Sequence, residues 1–150
     1  MALNPNQQNY LYATLRAFEK SLRLADQLLV DGAEQGILYY QKSYLDAELR
    51  QSARHKISLA LQELARLANQ LGLEPREENS DQMIMAQMSA SWADLVDSQS
   101  SRLKGYGQVA PQAAALIDPA VNHLARLAAE LGEFFTADPS SGNISQNGKE

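Results

Sequence analysis

The stretch from Glu34 to Leu71 constrains the fold more than any other part of the chain. It contains no proline, its only glycine is Gly36 near the start, and Leu, Ala, Gln, Glu, Arg and Lys dominate the remainder. These residue types lose little conformational freedom on entering a helix. Read as a single helix, the stretch would be ~57 Å long. Its second half repeats apolar residues at Ile57, Leu61, Leu64, Ala68 and Leu71, and its first half offers Leu38, Leu45 and Leu49. The step between the halves is a run of fours, which turns the stripe around the helix. Within Arg50 to Lys56 only Ala53 is apolar, so the middle of a continuous helix would be the least covered part. Gly72 suits a left-handed C-terminal cap and Pro75 follows at the usual distance.

The remaining stripes share that period. Asn4 followed by Pro5 marks the start of a first helix running to about Val30, with a seam of Leu11, Leu15, Phe18, Leu22, Ala25 and Leu29. Leu24 and Leu28 widen it, Glu19 and Arg23 form an i,i+4 pair, and Asp31-Gly32 reads as the stop. Asn79 or Ser80 caps a third helix carrying Met85, Met88, Trp92 and Leu95, which becomes polar and weakly covered from Asp97 to Ser101. Gly105 and Gly107 mark a turn, and Pro111 can open a short helix leading into the fourth helix. That helix either restarts or kinks at Asp118-Pro119 and carries a seam of Ile117, Val121, Leu124, Ala128, Leu131 and Phe135. Four seams of one period can close on one another, so the expected fold is all-α: an antiparallel four-helix bundle over residues 1–135 with a long second helix. The segment 136–150 lacks core residues and is expected to be a disordered tail.

Residues 64–72 read LARLANQLG and residues 124–132 read LARLAAELG. The echo permits a duplicated helical hairpin, although the flanking residues align poorly. Leu/Ala heptads ending in glycine also arise independently for packing reasons.

Composition removes several chemistries. The chain has no cysteine, so disulfides, thiolate metal sites and cysteine nucleophiles are excluded. The net charge is −5 with acids and bases interspersed, which disfavours nucleic acid as a partner. Arg16, Lys20 and Arg23 on helix 1 and Arg50, Arg54 and Lys56 on helix 2 are the sole hint of a basic stripe, and Glu19, Asp46 and Glu48 interrupt it. The N-terminus lacks the pattern of a signal peptide and no apolar run approaches a membrane span, so a cytoplasmic protein is expected.

Neither histidine sits in the Glu-x-x-His pattern of carboxylate-bridged metal bundles: Ser52 precedes His55 by three and Ala120 precedes His123 by three. No Gly-x-Ser-x-Gly and no phosphate-cradling glycine loop occurs. No metal, no cofactor and no catalytic residue is therefore assigned. Two stretches carry more apolar surface than one core face needs: Ile37, Leu38, Tyr39, Tyr40 and Tyr44, and, at the start of the third helix, Met83 and Met85. Tyr and Met favour partner surfaces. The leading expectation is a non-enzymatic protein–protein interaction module (an adaptor, assembly factor or regulator), homodimeric, contacting a protein partner or a second copy of itself through those residues. Two other readings are a bundle enclosing a small ligand or cofactor, as an enzyme could, with Trp92, Tyr106, His123 and the methionines lining the cavity, and a small subunit of a nucleic-acid complex.

Overall fold

A computed structural model of the 150-residue chain describes residues 2–30 and 34–136. Among them the regular structure is helical: α1 (Pro5–Leu29), α2 (Ala47–Leu71), α3 (Ser80–Val96), the short α4 (Ser100–Leu103) running into a 3-10 turn (Lys104–Tyr106), and α5 (Pro111–Glu133). The chain divides into two compact units, Met1–Arg76 and Glu77–Glu150. Each is an antiparallel helical hairpin, α1 with α2 and α3 with α5. The segments expected to hold the Asp31-Gly32 stop and all but the first residue of the tail lie outside the described residues.

In the first hairpin α1 begins with a reciprocal cap. The Asn4 side chain accepts from Gln7 N–H at 2.9 Å, and the Gln7 side chain accepts from Asn4 N–H at 3.0 Å. Leu22 is buried on the side of α1 where Leu11, Leu15 and Leu29 are half-buried, while Phe18 stands half in solvent. Opposite them, α2 offers Ala53, Ile57, Leu61, Leu64, Ala68 and Leu71. The helix is continuous through Arg50 to Lys56. Arg54 there donates across the hairpin to Asp26 at 2.9 Å and holds that carboxyl below its usual range, mainly through the hydrogen bond. At the other end Arg76 stacks 4.0 Å from the centre of the Tyr12 ring and donates to Asn9 Oδ1 at 2.9 Å. Gly72 closes α2 in the left-handed conformation, φ 66°, where a side chain would be strained.

The long second helix is corrected. α2 starts at Ala47, so its 25 residues match the 25 of α1 and no overhang exists. Asp46 stops the helix by accepting from Leu49 N–H at 2.8 Å, and Ser43 Oγ accepts from Leu45 N–H at 3.3 Å, a local turn that competes with another helical turn. The physical reason lies in cover. A helix continued back to Glu34 would project past the end of α1 with nothing beside it, and about a dozen unsupported residues are too few to hold a helix in water.

In the second hairpin, Asn79 caps α3 by accepting from Asp81 and Gln82 N–H at 3.0 and 3.3 Å. The helix ends at Val96, and the polar run beyond it becomes a turn followed by α4. α5 passes Pro119 without restarting. Asp118, which would have to cap a new helix, instead accepts from Ser100 N–H at 2.7 Å and Ser100 Oγ at 2.6 Å. Beside it Gln99 donates to Asn122 Oδ1 at 2.7 Å. These bonds fasten the α3–α4 junction to the middle of α5.

The seam of α5 is also corrected. The buried residues are Ala125, Ala128 and Gly132, with Val121 half-buried, whereas Leu124 and Leu131 are about half exposed. At Gly132 an added Cβ would lie 3.6 Å from Met88 Cβ, so small residues let α3 approach α5 closely. The helix has turned its small face inward and left its leucines outside. The two LARLA echoes thus pack differently, since in α2 it is Leu64, Leu67, Ala68 and Leu71 that are half-buried.

Candidate interaction surface

The segment between α1 and α2 is extended rather than helical. Gln35 and Tyr40 form an isolated antiparallel bridge, with Gly36 N–H donating to Tyr39 O at 2.8 Å and Gln41 N–H to Glu34 O at 3.1 Å. A two-residue turn results, and its tip is Ile37-Leu38. Tight turns ordinarily take Gly, Asn, Asp or Pro. Here Ile37 is 100% and Leu38 95% exposed.

The turn is held from beneath. The Tyr39 ring lies against Gly36, so closely that a Cβ on Gly36 would sit 2.6 Å from it. The Tyr39 hydroxyl bonds to the Glu34 carboxylate, which raises the pKa of the phenol, with that hydrogen bond as the largest cause. Tyr40 and Tyr44 are exposed, and the Lys42 ammonium lies 5.3 Å from the Tyr44 ring centre. Ile37, Leu38, Tyr39, Tyr40 and Tyr44 therefore share one continuous segment of the first unit. Met83 is half exposed and Met85 half-buried on α3 of the second unit.

The other candidates separate by environment. His55 and His123 are both exposed, and among the described residues no group of three or more His, Asp or Glu could hold a metal ion. Tyr106 is exposed on the 3-10 turn, and Trp92 is half exposed. Two bases of the sparse basic stripe are engaged by carboxylates, Arg23 with Glu19 at 2.8 Å and Arg54 with Asp26 at 2.9 Å. Among the described residues no helix is long and apolar enough to cross a membrane.

Two features were missed in the sequence. One is the exposed stripe of α5, comprising Leu116, Leu124, Leu127, Leu131 and Phe134. Its spacing of three and four was visible, but it overlapped the competing small-residue face one step around the helix. The other is the Ser100–Asp118 pair, for which a sequence separation of 18 carries no local signal. The chain matches no protein-family model, no curated protein and no solved structure.

Proposed function

We propose that the chain is a non-enzymatic protein–protein interaction module, an adaptor, assembly factor or regulator, that acts in the cytoplasm as a homodimer. The observation that carries the reading is the Ile37-Leu38 tip: two large apolar side chains in full contact with water on a turn braced by Tyr39, Gly36 and Glu34. Burying each in a partner's apolar pocket contributes about 1.5–3 kcal/mol, and a braced turn loses little further entropy on docking. The same pair left in water serves no purpose within the hairpin that displays it.

The four-helix bundle belongs to this proposal. A pair of helices covers only one stripe of each, and a stable domain needs a second layer. Two hairpins with seams of one period supply four helices for such a bundle.

The test is affinity capture from the native host with mass spectrometry, using the wild type, Ile37→Asp/Leu38→Asp and Tyr40→Glu. Loss of a specific partner from the variants, with helical content unchanged, is the expected result. An identical captured set for all three chains would sink the role assigned to the tip.

A further inference from the structure

The second helix of the second hairpin presents two faces of different character. Ala125, Ala128 and Gly132 meet α3, and to one side of them Leu116, Leu124, Leu127, Leu131 and Phe134 are 41–77% exposed. With Ala120 these residues recur at steps of four, four, three, four and three, which places them on one continuous stripe of the helix. The exposed area of the five large side chains is on the order of 500 Å², which matches the apolar portion, about 65%, of the ~800 Å² that each partner contributes to a standard interface. A stripe of that period is complementary to another helix.

We propose that this stripe is the contact between two copies of the chain, α5 lying antiparallel against α5 of the second copy about a two-fold axis that crosses the helix between Leu124 and Leu127. The inference rests on the homodimeric reading above and names its surface. The register is self-consistent in size and polarity. Leu124 faces Leu127 of the second copy, and the bulky Leu131 faces the small Ala120 of the second copy. Glu130 comes beside His123 of the second copy, and by symmetry each of the three pairs forms twice. His123 and Glu130 are both exposed on the described surface, so each is free of the hairpin's own packing.

Sedimentation equilibrium of the full chain, followed by short bismaleimide cross-linking, tests the inference. The chain has no cysteine, so single-cysteine variants report one position each. The expected results are a wild-type dimer and at least ~100-fold weaker association of Leu127→Glu/Leu131→Glu with helicity retained. Weakened association is likewise expected of Glu130→Lys, with recovery in Glu130→Lys/His123→Glu. Cross-linking should be efficient for Leu127→Cys, whose two copies lie ~4.5 Å apart along the axis, and poor for Leu116→Cys, whose copies lie ~28 Å apart.

Efficient cross-linking at both positions means a parallel contact and overturns the register. A dimer indifferent to Leu127→Glu/Leu131→Glu overturns the surface while the homodimeric reading stands. A wild type that remains monomeric up to ~100 μM, where a standard interface is occupied, overturns both. If that monomer also loses helicity on Leu127→Glu/Leu131→Glu, the stripe is covered by the chain's own first hairpin. Should the double variant of a dimeric wild type unfold, the cross-linking contrast decides alone.

Discussion

Single residues settle where this chain turns and how closely its helices approach. Gly72 and Gly132 occupy matching places in the two LARLA echoes but do opposite work. Gly72 is left-handed at φ 66°, and Gly132 is helical with room for a methyl group beside Met88. Gly72→Ala should therefore destabilise the protein by about 1 kcal/mol, and Gly132→Ala should stabilise it by up to about 1 kcal/mol through helix propensity. Chemical denaturation of the two variants checks the opposed signs. Asp118 supplies a pH signature. Its carboxyl is held below the usual range chiefly by the hydrogen bonds from Ser100 Oγ and N–H, with Lys104 adding a favourable charge. A depressed folded pKa contributes stability that is present above the unfolded value of about 4 and lost as pH falls through the folded value. Asp118→Asn should lower the melting temperature at neutral pH, and its difference from wild type should shrink as the melt is repeated towards about pH 2. A difference that stays constant with pH would mean that the carboxylate's charge is not what Ser100 stabilises.

At the scale of elements, the boundary of α2 shows how cover overrides propensity. The residues of 34–46 include good helix formers, yet the helix starts only where α1 lies alongside. Amide hydrogen exchange should separate the two regions, with residues 37–45 exchanging orders of magnitude faster than the interior of α2. Asp46→Ala removes the cap and should destabilise the first hairpin by about 1 kcal/mol. α5 makes the converse point. Pro119 removes one backbone donor and ordinarily breaks a helix, but the helix continues because Asp118 and Asn122 on either side are bonded to the α3–α4 junction. Helix starts were legible in the sequence at Asn4, Asn79 and Pro111, and the stop at Gly72, because caps and prolines act within one turn.

For the whole molecule the decisive fact is how little is enclosed. Among the described residues only Leu22, Ser100, Ala125, Ala128 and Gly132 are buried. Helical hairpins of this kind gain most of their stability from whatever covers their open faces. If that cover is a second copy, the melting temperature should rise with protein concentration over a hundredfold dilution series. A melting temperature independent of concentration would remove association as the source of stability.

Sequence alone determined that the chain is helical, where most helices begin, and that Ile37, Leu38, Tyr40 and Tyr44 carry apolar surface beyond the needs of a core. These depend on residue period and local capping, which neighbouring residues decide among themselves. Which face of α5 turns inward, where α2 begins, and what Asp118 holds were decided only by tertiary structure. Leu124 and Ala125 lie one residue apart on the same helix, and both faces are apolar. The small face packs on α3, with Gly132 against Met88, a contact between elements that the spacing of either helix does not contain.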